Sequence, residues 1–188
     1  MDFSELLKNR RSIRDFQEKA VPLQLVQEII KESCLAPSSM NSQPWSFIII
    51  TDKTMIKKLS DESKKNILTK ISENPDYYLK RYEEVLKVET FNVFYNAPCV
   101  VLITGPRSMY SAVVDCTLFA SYFMLCAAAR GLGTCWIGLG AHIQDPKIKK
   151  EIGLPDDQVI IAPLSLGYPK KIPDALKRMP PKILKIIG

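Results

Sequence analysis

The chain contains one histidine, His142, among 188 residues, and its five cysteines form no CxxC pair. A zinc centre of ordinary Cys/His spacing therefore lacks its ligands, and no Ser/His or Cys/His pair is available for nucleophilic catalysis. Cys34, Cys99, Cys116, Cys126 and Cys135 stand mostly in apolar surroundings, where a thiol packs as a small hydrophobe. Reduced thiols point to the cytoplasm. The start, MDFSELLKNRRS, is amphipathic without a hydrophobic signal core, which fits the same location. Glycine is also scarce. Gly131, Gly133, Gly138 and Gly140 crowd one stretch, but their spacing is not that of a GxGxxG turn, and no P-loop occurs. One apolar run, Cys116 to Ala129, could pass for a membrane span, yet it has fourteen residues and is bracketed by Asp115 and Arg130. That is too short for a bilayer, so no membrane association is expected. A helix apolar all round must be buried in protein, here most simply at a subunit interface.

What is present is an ordinary globular composition, 46% hydrophobic and 24% charged, sized for one domain spanning residues 1–188. The net charge of +6 with pI near 9.0 raises the question of an anionic partner. Acidic residues are interspersed through 53–87 and 147–185, a pattern that usually solvates helix faces. The cations do not alternate with aromatics, so no nucleic acid is expected as partner. A small phosphorylated ligand would need only a few of them.

Apolar periodicity alternates between helical and extended stretches. Helices are expected at Phe3–Asn9, from Pro22 to about Ala36, over 108–130 and over 145–152. The charged segment 53–90 reads as helical with a break near Asn74-Pro75. Strands are expected at Trp45–Thr51, over the CVVLIT that follows Pro98, at Thr134–Leu139 and at Val159–Leu166. Gly131 suits a left-handed cap closing the long apolar helix. The remaining residues, from about 168, carry several prolines and lysines and read as an extended arm. The order indicates an α+β sandwich, a mainly antiparallel sheet of four or five strands flanked by helices.

Two clusters carry polar chemistry. Arg10-Arg11-Ser12-Ile13-Arg14 sets three guanidiniums and a hydroxyl within five residues, enough to hold a phosphate bidentately. A competing explanation is that cations simply favour a helix C-terminus. Pro37-Ser38-Ser39-Met40-Asn41-Ser42-Gln43-Pro44-Trp45 gathers hydrogen-bonding groups in a loop entering a buried strand. That loop can face a planar heterocycle, or its Ser and Asn side chains can bond their own backbone.

Taken in order, RRSIRDF, APSSMNSQPWSFIII, NAPCVVLIT, ARGLGTCWIG and LSLGYP resemble the nitroreductase family over nearly the whole chain, least over 53–90. The resemblance implies a domain-swapped homodimer with two FMN sites at its interface. By motif, Arg10, Arg11, Ser12 and Arg14 would bind the phosphate and ribityl chain, joined by Arg178 from the late basic segment. Pro37, Ser38, Ser39 and Asn41 would reach the isoalloxazine from the other subunit. Ile137, Gly138 and Leu139 would lie along the ring, with Gly138 where family members often carry glutamate. Asn92 would stand near the flavin pyrimidine. The function implied is an FMN-dependent oxidoreductase using NADH or NADPH to reduce nitroaromatics, quinones or similar small-molecule electron acceptors by a ping-pong mechanism. Alternatives are a flavin-fragmenting or dehalogenating relative, or a flavin-binding sensor or storage protein. His142 is expected at the surface or in a capping role.

Overall fold

A computed structural model describes residues 2–188. Helix α1, Phe3–Asn9, starts from a capping box: the Asp2 carboxylate accepts the Glu5 amide and the Glu5 carboxylate accepts the Asp2 amide. Helix α2 spans Leu23–Ser33, three residues short of the expected Ala36. Its end tightens into i→i−3 bonds, Leu35 N to Glu32 O and Ala36 N to Ser33 O, before Pro37 turns the chain. Strand β1, Ser46–Ile50, occupies the expected apolar run.

Segment 53–90 breaks where the sequence indicated. Helix α3, Lys53–Glu73, is capped by Asp52 and closes at Asn74, and α4, Glu83–Lys87, follows a single 3-10 turn. Strand β2 is Cys99–Pro106. Helix α5 is Ala112–Ala129 rather than 108–130, because residues 107–111 form turns with Met109 N bonded back to Pro106 O. Strand β3, Gly133–Trp136, stops short of the expected Leu139. There Gly138–Ala141 curl into a 3-10 turn, a conformation that two glycines in four residues favour over a strand. Helix α6, Pro146–Glu151, and strand β4, Gln158–Gly167, complete the regular elements.

The four strands pair antiparallel throughout in the order β1-β2-β4-β3, so the expected α+β sandwich is the one found. Strand β2 is buried on both sides, and its alternation sorts the two halves of the core. Cys99, Val101 and Ile103 face α2 and α5, while Val100 and Leu102 face the layer containing α3 and α4. Beyond β4 the chain bonds back to the segment after the arginine cluster, Gln17 N to Tyr168 O at 2.8 Å and Lys170 N to Asp15 O at 3.1 Å. From Lys171 to Gly188 there is no helix or strand, and Leu176, Met179 and Leu184 lie open to solvent.

Helix α5 departs from expectation in a useful way. It is not buried on all sides within the chain. Cys116, Phe119, Ala120, Phe123 and Ala127 are fully covered by the chain's own core, so Phe119 belongs to the fold itself. The opposite face shows Val113, Val114, Leu118 and Tyr122 to solvent. Its mean hydropathy of 1.7 over 18 residues matches a membrane span in composition, but the core packing of its other face is that of an internal helix.

Candidate functional site

The arginine cluster follows directly on α1 and runs beside β3. Ser12 bridges Thr134 in parallel fashion, and Ile13 N donates to Thr134 O at 2.9 Å. This close approach depends on Gly133, where a Cβ would stand 2.4 Å from Cγ1 of Ile13. The pairing anchors Ile13 in the core and leaves Arg10, Ser12 and Arg14 along the rim of one cavity of about 750 Å³. Arg178 and Asp174 from the C-terminal arm wall the same cavity, so residues more than 160 positions apart in sequence meet there. Arg11 also lines it, but its guanidinium is partly committed: Nη1 donates to Lys8 O at 2.5 Å and to Arg10 O at 2.8 Å, closing α1. The helix-end explanation thus holds for Arg11. Among the described residues Arg130 is the only arginine in an ion pair, with Glu32 at 2.6 Å. Arg10, Arg14 and Arg178 thus stand unpaired at a cavity where cations outnumber the single carboxylate of Asp174, which suits a phosphate.

Cys135 lies beneath this cluster. Burial pushes its thiol up, while the neighbouring Arg14 guanidinium and Ser12 hydroxyl oppose that rise. Burial raises Cys99 to about 12 and Cys116 to about 11, which leaves both unreactive at neutral pH.

Arg14 separates this cavity from a second one of about 660 Å³ that contains Asn92 and Tyr95. The Arg14 guanidinium stands 5.7 Å from the Tyr95 ring centre, within cation–π range. Tyr95 and Asn96 hold φ of 56° and 52°, in the left-handed region. Non-glycine residues seldom adopt it unless the surroundings compel them, and such strain collects at functional sites. Sequence pattern gave no sign of Tyr95. Asn92 is fixed as well, its Oδ1 accepting the Phe94 amide at 2.8 Å. The oxygen is therefore occupied and the Asn92 NH₂ group remains as a donor.

The turn after β3 seats Ile137 in the core, its amide bonded to Pro163 O at 2.8 Å. Gly138 and Leu139 open the 3-10 turn, and the first N–H groups of such a turn have no partner within it. A Cβ at Gly138 would meet nothing within 4 Å, whereas one at Gly140 would lie 2.5 Å from Phe94 Cε1. Gly140 thus locks this turn against the Asn92–Tyr95 loop. His142 follows. Its burial, and then the Lys70 charge, hold its imidazole below the usual range, while its carbonyl accepts Asn66 Nδ2 at 2.8 Å.

Pro37, Ser38, Ser39 and Asn41 lie elsewhere. Ser39 N donates to Oδ1 of the buried Asp115 at 3.0 Å, and Ser38 Oγ accepts the Gln43 amide at 3.0 Å. Met40, Asn41 and Gln43 all have positive φ, and Met40 is 99% exposed. A strained loop with an exposed apolar tip is therefore pinned to the first turn of α5. The arginine cluster sits at the other end of the same helix, where Arg10, Arg11 and Ile13 share a small cavity with Ala128 and Gly131. Thirteen residues separate Asp115 from Ala128, about 20 Å along a helix. One chain does not bring the two motif clusters together. Asp115, which pins the loop, was visible in the sequence only as the charge preceding an apolar run.

Comparison with known proteins identifies what this chain is similar to. A chloronitrobenzene nitroreductase of Comamonas testosteroni is 28% identical over 87% of this chain and 85% of its own. A protein of Archaeoglobus fulgidus with the provisional name NADH dehydrogenase/NAD(P)H nitroreductase is 28% identical over 88% of this chain and 84% of its own. The crystal structure of a Bacteroides fragilis nitroreductase with bound FMN superposes with a TM-score of 0.80 at 25% identity, covering 100% of this chain and 98% of that one. The profile of the Nitroreductase family matches residues 7–168, from the end of α1 to just beyond β4, and the chain belongs to that family.

Proposed function

We propose that the protein is an FMN-dependent oxidoreductase that works as a homodimer. It takes electrons from NADH or NADPH and delivers them to nitroaromatics, quinones or related small electrophiles in alternate half-reactions. The observation carrying this reading is the cavity where Arg10, Ser12, Arg14 and Arg178 converge with little opposing charge. Its cations match the two negative charges of a flavin phosphate.

The residues present fit the cofactor. Arg10, Arg14 and Arg178 would neutralise the phosphate, and Ser12 would offer a hydroxyl to the same group. The Asn92 NH₂ would be a donor to the flavin ring, and the leading amides of the Gly138–Ala141 turn would supply further donors. When bound, FMN supplies the redox chemistry, which explains a site without a side-chain nucleophile. The protein orients the ring, and its cations and N–H donors favour the electron-rich form. A ring face left open to solvent would let donor and acceptor visit in turn.

The distance between the motif clusters along α5 supports a shared site. Two α5 helices packed antiparallel through their exposed apolar faces would bring the Asp115-pinned loop of one subunit beside the arginine cluster of the other. Arg14→Ala and Asn41→Ala homodimers, each folded but inactive, are mixed, unfolded mildly and refolded. In a heterodimer one site then gathers both lesions and the other gathers neither. About a quarter of wild-type activity returns if random assortment gives half heterodimers. A site contained in one chain restores none, and that result refutes the shared architecture.

A further inference from the structure

Helix α3 lies in the segment where the sequence resembles its family least, and its charges read as a solvated face. Two of them are buried instead. Glu62 and Lys64 are each 8% exposed. The Glu62 carboxylate accepts the amides of Gln144 and Asp145 at the start of α6, an ordinary capping role. Lys64 does something different. Its ammonium donates to the carbonyls of Val88 at 2.7 Å, Phe91 at 3.0 Å and Glu89 at 3.3 Å. Three donors meet three acceptors, all from the turn between α4 and Asn92. One helical turn earlier on the same face, the fully buried Ser60 hydroxyl accepts the Val93 amide at 2.9 Å.

Together these contacts hold Asn92 from both sides of the chain. The peptide before it is gripped through Phe91 O and the peptide after it through Val93 N. The Phe94 amide then fixes the Asn92 side chain so that its NH₂ group is left to donate. The next residues are Tyr95 and Asn96 in left-handed conformations, which the turn sustains only while something holds it. A buried ammonium is costly without partners, and here every partner is a carbonyl of this one turn. A cation spent on backbone alone is explained by what that backbone presents.

We infer that Lys64, with Ser60, is a positioning residue that fixes Asn92 as a hydrogen-bond donor to the bound flavin. This inference rests on the proposed function, and it assigns α3 a part in the site that touches no ligand. Lys64→Met preserves length and apolar volume while removing all three bonds. The readout is a double-mutant cycle on FMN affinity, measured by flavin fluorescence during titration of apoprotein, with Asn92→Ala as the second change.

In the wild-type background Asn92→Ala weakens FMN binding about tenfold, the size of one hydrogen bond to a ligand. In the Lys64→Met background the same change costs less than about twofold, because the donor has already lost its place. Arg14→Ala retains its full effect in both backgrounds. The midpoint potential of bound FMN falls in Lys64→Met as it does in Asn92→Ala, a shift that loss of stability alone does not produce. If Lys64→Met does not fold, Ser60→Ala replaces it and decides the cycle by the same criterion. Equal Asn92→Ala effects in both backgrounds overturn the positioning role while leaving the proposed function intact. Wild-type protein that takes up no FMN overturns both.

Discussion

Replacing Val114 by lysine tests the exposed face of α5 as the surface on which two subunits meet. Val114 is 61% exposed within one chain, so its side chain contributes little to the monomer and much to whatever covers it. Fully burying a valine is worth about 1.5–3 kcal/mol, and the exposed share here corresponds to about 1–2 kcal/mol per subunit. An unpaired ammonium in its place adds at least the roughly 1–3 kcal/mol that a buried neutral polar group costs. Twofold symmetry counts each change twice, giving at least about 4 kcal/mol per dimer. At about 1.4 kcal/mol per decade, the dissociation constant rises roughly a thousandfold. Sedimentation velocity over a dilution series from micromolar to nanomolar reads the shift directly. Phe119→Ala is the contrasting control, because that ring lies wholly in the chain's own core and stacks within 5.2 Å of Trp45 and 4.7 Å of Phe47. Its loss costs the fold about 3–5 kcal/mol at any protein concentration. A folded Val114→Lys protein with the wild-type dissociation constant would show that this face is not the interface.

Arg14→Ala is expected to weaken FMN retention by about 1.5–3 kcal/mol, the range for a hydrogen bond to a charged group. Full retention through equilibrium dialysis removes Arg14 from the phosphate site. Gly140→Ala drives a methyl against Phe94, 2.5 Å from Cε1, and should destabilise the protein by about 1–3 kcal/mol. An unchanged melting temperature would mean that the turn and the Asn92 loop are not locked together. Burial first, and Lys70 second, depress the His142 pKa in the folded state, so the unfolded chain binds the proton more readily. Stability is then full above the ordinary histidine value of about 6.5 and declines as pH falls from there through the folded value. His142→Gln should flatten the stability profile in that window, and an identical slope in both proteins refutes the linkage.

Much of this architecture was legible because its signals are local. The run WSFIIIT gives β1 through β propensity, and Asn74-Pro75 ends α3 because proline interrupts the helical ladder. The arginine cluster and Arg178 were each singled out from sequence, and they line one cavity. What escaped depends on tertiary context. Trp136 ends β3 because the chain turns on glycines, although the apolar run continues to Leu139. Glu62 and Lys64 sit in a helix as charged as any solvated one, and only the carbonyls and amides they meet explain their burial. The positive φ angles of Met40, Asn41, Gln43, Tyr95 and Asn96 carry no glycine signature and are imposed by surrounding contacts. The single-chain burial of α5 could not be apportioned between its faces from composition, since both faces are apolar.

The strand order has a consequence for how the chain survives its own folding. Both outer strands of the sheet could offer unpaired backbone groups, but β3 is flanked at Thr134 by Ser12 and Ile13. Among the described residues the other edge, β1, pairs only with β2, and it reads Phe47-Ile48-Ile49-Ile50 without a charge. Such an edge is a template for any extended segment that reaches it first. Pro44 and Asp52 stand just outside the strand and limit how far a foreign strand can propagate along it. An uncharged outer strand of this kind is the place where two nascent sheets would join if they met before native contacts formed.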